Sequence, residues 1–236
     1  MKQHQLQMKP GTIVLSVGGS LVVPNGQIDV KFLRGFKKLI EAQVKKGWHF
    51  VIVVGGGGTA RHYQQAAKQV GKLSAEDLDW LGIHSTRLNG HLIRTIFRQI
   101  AHLEMFNDPR KVPKKWQGKV LVAAGWRPGW STDYVATMIA KRLGAKLVVN
   151  LSNIDYLYTA DPNQDQTAKP IRAIDWPAFR KMVGNKWDPG MNAPFDPVAS
   201  KLAASAKMSV ILANGKKLAN LEKMLLGRDY SGTVIS

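Results

Sequence analysis

The stretch Phe50-Val51-Ile52-Val53-Val54-Gly55-Gly56-Gly57-Gly58-Thr59-Ala60-Arg61 decides the fold. Its apolar run, bounded by glycines, predicts a strand buried on both faces, as in a parallel sheet. The four glycines that follow remove every Cβ from the turn, so backbone N–H groups can approach a ligand closely. Thr59 is placed to cap the next helix, and a helix N-terminus favours an anion. Arg61 adds a fixed positive charge with forked donors. Together these residues predict an anion site suited to phosphate. A single glycine would make the turn, and four would be costly without a ligand. No Gly-Lys-Ser/Thr follows, so this is not a Walker A loop, and the dinucleotide G-x-G-x-x-G spacing is absent.

The same order recurs along the chain. An apolar stretch over 12–17 leads to Gly18-Gly19-Ser20. Another over 119–124 leads to Gly125-Trp126-Arg127-Pro128-Gly129-Trp130-Ser131-Thr132-Asp133. Between them lie helical patterns: Val30, Leu33, Phe36, Ile40 and Val44 behind an Asp29 cap, and a long one opened by Ser74-Ala75-Glu76-Asp77. Within that long helix Gly82 and Gly90 leave room for a break or for close packing, and Asp79, Arg87 and Asn89 are polar insertions. Asp79 reads either as part of a solvated face or as a carboxylate aimed at a ligand hydroxyl. Residues 105–119, with Pro109 and Pro113, read as a surface loop. Further strands are expected over 146–151, 208–212 and 233–235, and a helix behind the Asp196-Pro197 start. Repeated strand, small-residue turn and helix predict a doubly wound, mostly parallel sheet, with ligands beyond the C-terminal strand ends. Residues 1–11 read as an N-terminal extension and 12–236 as one domain.

Bulk composition narrows the function. With no cysteine among its 236 residues, the chain has no disulfide, thiolate metal site or cysteine nucleophile. That suits a cytoplasmic location. No apolar run approaches the ~18–20 residues of a membrane span, and the polar first ten residues lack a signal-peptide core. The net charge of +18 attracts nucleotides, RNA or anionic surfaces. The basic pairs are scattered, which favours a solvated basic surface over a dedicated nucleic-acid face.

In order and spacing, Gly18-Gly19-Ser20, the Gly55-to-Arg61 run, Pro128-Gly129-x-Ser131-Thr132-Asp133, Tyr158-Thr159-Ala160-Asp161-Pro162 and Phe195-Asp196-Pro197 resemble the amino acid kinase family. Within it they are similar to the archaeal-type uridylate kinases, as are Leu81-Gly82-Ile83, Thr86-Arg87-Leu88-Asn89 and the closing Gly232-Thr233. The resemblance runs from about residue 12 to the end. It implies an eight-stranded, three-layer αβα sandwich with a mostly parallel central sheet. It also implies phosphoryl transfer from magnesium ATP to UMP, and assembly as a homo-oligomer, a hexamer built from dimers. The ATP contacts would fall on Gly19, Ser20, Gly57, Arg61, Ser152, Asn153, Tyr158 and Asp161. The UMP contacts would fall on Gly56, Asp79 and the loop Trp126, Arg127, Pro128, Gly129, Trp130, Ser131 and Thr132. Asp133 and Asp196 match carboxylates that organise the reacting phosphates and Mg²⁺; which residues touch the metal stays open.

Ser16, the loop residues Trp126, Arg127 and Trp130, and the +18 charge depart from that pattern. Ser16 stands where many members carry a lysine, two residues before the first glycine pair. The cation that meets the transferred phosphate is then Arg61, Arg127 or Mg²⁺ itself. Trp126, Arg127 and Trp130 stand where small polar residues and histidines are usual, and they would narrow the pocket, stack on a base or change the acceptor. A non-catalytic nucleotide-binding protein is the alternative from another class.

Overall fold

The computed structural model describes residues 9–160, 164–184 and 193–236. In chain order the first half runs β1 (Thr12–Val17), α1 (Gly19–Val22), α2 (Val30–Lys45), β2 (His49–Val54), α3 (Gly57–Val70), α4 (Ala75–Ile96), β3 (Ala101–Phe106), β4 (Val120–Ala123) and α5 (Thr132–Leu143). The second half runs β5 (Leu147–Ser152), β6 (Leu157–Tyr158), β7 (Pro170–Ile171), β8 (Ala173–Ile174), α6 (Trp176–Val183), α7 (Pro197–Ser205), β9 (Ser209–Asn214), α8 (Leu218–Leu225) and β10 (Thr233–Ile235).

Eight strands form one sheet in the order β3-β4-β2-β1-β5-β9-β10-β8, and β6 pairs with β7 in a separate ribbon. From β3 to β9 every pairing is parallel; β10 runs antiparallel to β9 and parallel to β8. The parallel strands are apolar on both faces because both faces are covered. Phe50, Ile52 and Val54 of β2 join α1, α2, α4 and α8 in one core, through Leu21, Phe36, Ile93 and Met224. Val51 and Val53 join α5, α6 and α7 in the other, through Ile139, Phe179 and Ala199. Helices on both faces make the three-layer sandwich expected from the sequence.

Several local expectations hold with a cause in view. Asp29 accepts the Phe32 N–H and caps α2. Ser74 and Asp77 form a reciprocal capping box on α4. That helix is unbroken over 22 residues, so its glycines serve close packing: a Cβ at Gly90 would lie 2.6 Å from the Met105 sulfur. Gly144 closes α5 at φ 71°, in the left-handed region.

Two expectations are corrected. Thr59 caps nothing; α3 starts at Gly57, with Gly56 at the cap position, because glycine admits φ 60° at residue 57. The stretch 105–119 does include the expected loop, but its first two residues belong to β3, an unanticipated edge strand with a register shift between Ala101 and Met105. Its alternation, Ala101, Leu103 and Met105 against His102 and Glu104, is short and follows directly on the helical pattern of α4, and its exposure does not follow it. Among the described residues no helix is long and apolar enough to cross a membrane.

Candidate active site

The parallel strands β2, β1, β5 and β9 end at one sheet edge, and their turns meet there. The first two glycine turns interlock. Gly55 N–H donates to the Val17 carbonyl at 2.9 Å, and Gly58 N–H to the Val23 carbonyl at 2.7 Å. A Cβ on Gly19 would collide with the Gly57 nitrogen; in the second turn, one on Gly55 would collide with the Gly19 nitrogen, one on Gly57 with the Gly19 carbonyl, and one on Gly58 with the Gly26 nitrogen. Three of the four glycines in the Gly55–Gly58 turn are therefore demanded by backbone-on-backbone packing, whatever ligand the turn meets. Gly56 is pinned from the other side, its carbonyl accepting the Asn89 amide at 3.0 Å.

A cleft of about 520 Å³ opens beside this knot. Of the residues expected to bind ligands, Gly56, Gly57, Arg61, Asp79, Trp130, Ser131, Thr132, Asp133 and Asp196 line it together. Gly19 lies behind Gly57. Ser20 accepts from the Arg61 guanidinium at 3.2 Å, while the other arm of Arg61 donates to the Pro24 carbonyl at 2.7 Å. Ser152 ends β5 beside Gly18, whose own N–H is bonded to Leu151 O at 2.8 Å, and Asn153 follows on the same edge. These four residues sit along the sheet edge, outside the cleft lining. Tyr158 belongs to the small ribbon, its ring edge-on to Tyr156. Asp161 lies outside the described residues.

Two carboxylates face each other on the α5–α7 side. Ser131 caps α5 by accepting the Tyr134 N–H, which sets Asp133 in the first turn. Asp196 caps α7 by accepting the Ala199 N–H, with Pro197 in the first turn. Asp133 Oδ1 accepts from Ser16 Oγ and from Asn150 Nδ2, each at 2.8 Å, and its Oδ2 accepts from the Asp196 backbone N–H at 3.3 Å. Ser16 and Asn150 are register partners on β1 and β5. Alternation turns both toward α5, so they present a matched pair of donors. Burial pushes the Asp133 carboxyl up to about 6; the Asp196 charge adds to the rise, and the Ser16, Asp196 and Asn150 donors oppose it. Burial also raises Asp196, against the Ala199 N–H. Among the described residues no cluster of three or more acidic or histidine side chains is placed to hold a metal.

At the other end of the cleft, α4 holds the 125–129 loop by its backbone. Thr86 Oγ1 accepts the Gly125 N–H at 2.7 Å. Arg87 donates to the carbonyls of Gly125 and Trp126 at 3.3 and 2.8 Å. Asp79 Oδ2 accepts the Gly129 N–H at 2.6 Å, in a loop where Gly129 takes φ 83°. Burial raises the Asp79 carboxyl, and that N–H offsets part of the rise. Arg127 and Pro128 lie in this loop, Arg127 exposed with its guanidinium 4.3 Å from the Trp126 ring centre.

The roles of Ser16, Thr86, Arg87, Asn89 and Asn150 were not anticipated. The signal available was polarity where a core residue was expected: Ser16 and Asn150 interrupt apolar strands, and Thr86 and Asn89 are buried helix positions. It was too weak to distinguish a ligand contact from a loop support.

Glycine turns, two helix starts and paired carboxylates at one parallel-sheet edge make a site suited to phosphate-bearing ligands. The chain belongs to the amino acid kinase family, whose pattern matches residues 11–214. It is 32% identical over 234 residues to a uridylate kinase of Hyperthermus butylicus, covering 96% of this chain and 99% of that one. It is 33% identical over 230 residues to a uridylate kinase of Methanocorpusculum labreanum, covering 94% of each. The crystal structure of uridylate kinase from Archaeoglobus fulgidus superposes with a TM-score of 0.78 at 31% identity, over 95% of this chain and 99% of that one. A UMP kinase of Bacillus anthracis shares the fold, with a TM-score of 0.79 at 18% identity.

Proposed function

We propose that this protein is a UMP kinase, transferring the γ-phosphate of ATP to UMP to give ADP and UDP. The observation that carries the reaction class is the facing pair Asp133 and Asp196 in a cleft whose opposite wall is the Gly56–Gly57 turn. Near-full-length similarity to uridylate kinases supports UMP as the acceptor. Phosphoryl transfer needs positioning and neutralisation of charge more than a covalent group, and this cleft supplies those. The glycine edge, with Arg61, takes the ATP phosphates. The α4-held loop, Asp79 and Trp130 take UMP. Asp133 and Asp196 lie where the two phosphate groups would meet.

These carboxylates fit Mg²⁺. Both are raised by burial, and the charge of Asp196 disfavours ionisation of Asp133, a conflict that a divalent cation relieves. Mg²⁺ is usually held by one or two carboxylates together with substrate phosphates. Asp133 and Asp196 would hold it, and it would neutralise charge on those phosphates. Ser16 does not replace the missing lysine. It orients Asp133 instead, so the cation role falls to residues around the cleft and to the metal.

Self-association into a hexamer built from dimers is part of this reading. Exposed apolar side chains gather on α3 and α4, with Tyr63, Val70, Trp80 and Leu88 among them. Sedimentation velocity tests it: a species of monomer mass alone rejects assembly.

The deciding experiment is a coupled assay of ADP release with ATP, Mg²⁺ and each of UMP, CMP, AMP and GMP. Turnover with UMP is expected. No turnover with UMP, despite nucleotide binding, overturns the reading.

A further inference from the structure

The segment between β3 and β4 stands outside the cleft, yet it carries a buried carboxylate, Asp108. This carboxylate accepts the Arg110 backbone N–H at 2.9 Å and grips the guanidinium of the same residue. Arg110 Nε lies 3.0 Å from Oδ1, and Nη2 lies 2.8 Å from Oδ2. The forked contact holds the Asp108 carboxyl below the usual carboxylate range. It also fixes the guanidinium plane, whose carbon stands 4.8 Å from the centre of the Trp126 ring. Arg127 meets the same ring at 4.3 Å. The stack continues inward, Trp126 to Trp130 at 5.9 Å and Trp130 to Tyr134 at 4.1 Å. It ends on α5, one residue from Asp133. The segment is itself tied to α5, because Arg142 Nε donates to the Val112 carbonyl.

Two guanidiniums on one indole repel each other, although each is attracted to the ring. Asp108 neutralises one of them, which explains a carboxylate at this place. An exposed ion pair on its own would contribute little, and the Arg110 side chain is largely exposed, but Asp108 is buried and Arg110 reaches Trp126 in the loop that borders the acceptor end of the cleft. That loop is then held twice, by α4 through its backbone and by Arg110 through its Trp126 side chain.

We propose that Asp108 and Arg110 are positioning residues that preset the acceptor loop, fixing Trp126 and through it the Trp130 ring that lines the cleft. This rests on the reading of that loop as the acceptor side of a UMP kinase. The structural part is tested without substrate, by amide hydrogen exchange in the full-length protein and in Arg110→Ala, Arg110→Lys and Asp108→Asn. Exchange over 125–131 is expected to rise about tenfold in all three, with the strands of the central sheet unchanged. Arg110→Lys does not rescue, because an ammonium lacks the planar fork. Unchanged exchange over 125–131, or an equal rise throughout the sheet, overturns the proposal.

The functional part is a split in kinetics. In the Ala variant KM for UMP is expected to rise about tenfold, while KM for ATP and kcat stay within about twofold. A parallel rise in both KM values overturns a role confined to the acceptor loop. If the unmodified enzyme does not phosphorylate UMP, the assigned function fails, and hydrogen exchange still decides whether Arg110 holds the loop.

Discussion

Asp133 carries its mechanism in its surroundings. Raised to about 6 by burial and by the Asp196 charge, it is ionised only above the acid end of the neutral range. If the ionised form does the work, kcat/KM rises with pH through about 6 and levels off above it. A pH profile flat from 5 to 8 would reject that role. Ser16 lowers the Asp133 value by its hydrogen bond, so Ser16→Ala is expected to move the acid limb to higher pH without changing the plateau KM for either nucleotide. Asp133→Asn should lower kcat by roughly 10²–10³. Ionisation of Asp133 also acts on stability. A carboxyl whose folded pKa is raised binds more protons folded than unfolded, so stability falls as pH rises from the ordinary carboxylate range through about 6. Above that window the charged group is a standing cost. Thermal unfolding of ligand-free protein should therefore show a loss of stability as pH rises from the ordinary carboxylate range through about 6, and Asp133→Asn should remove that pH dependence. At this scale the helix-start positions of Asp133 and Asp196 were legible from Ser131 and from the Asp196-Pro197 pair, while their role at the phosphates came only from the family resemblance. Ser16 was not: in the sequence it reads as a missing lysine, and only the pairing of β1 with β5 turns it into a donor to Asp133.

At the scale of elements, the glycine turns sort into two kinds that the sequence does not separate. Gly57 needs both its φ of 60° and its bare Cα, because a Cβ would collide with the Gly19 carbonyl. Gly129 needs only its φ of 83°, since nothing lies within 4 Å of a Cβ there. Gly129→Ala should thus cost about 1–2 kcal/mol of left-handed strain. Gly57→Ala adds overpacking between two backbones and should cost roughly 3 kcal/mol or more. Denaturant melts compare them directly, and equal losses would refute the interlocked-turn account. Three of the four glycines are required by the packing of one turn into another, so their number alone does not imply a ligand. The cleft that borders Gly56 and Gly57 keeps the ligand reading alive on separate grounds. Strands, helix starts and the parallel order were legible because caps and apolar runs are local. The edge strand β3 was not: Ala101, Leu103 and Met105 do alternate with His102 and Glu104, but the run is short, follows directly on the helical pattern of α4, and shifts register midway.

On the scale of the whole molecule, the sheet gathers the carboxylates, the glycine knot and the acceptor loop at one edge, and the net charge acts on what arrives there. Both proposed substrates are polyanions, and the chain carries +18. The acidic side chains are few, and Asp79, Asp133 and Asp196 all sit in the cleft lining. Basic side chains at the rim, Arg61 and Arg127, are exposed. The long-range field is therefore attractive to nucleotides, while the cleft floor is locally acidic and complementary to a cation between them. Long-range attraction is screened within about 10 Å at 0.1 M salt, whereas contacts inside the cleft are screened much less. The two parts then separate by ionic strength. Raising monovalent salt from roughly 20 mM to roughly 300 mM, at fixed free Mg²⁺, should reduce kcat/KM for UMP several-fold and leave kcat nearly constant. Steering alters encounter and not the chemical step, so the loss must appear when UMP is scarce and vanish when it saturates. A fall in kcat of the same size would mean that salt reaches the carboxylate pair itself. No change in either constant would mean that the basic surface serves something other than substrate capture.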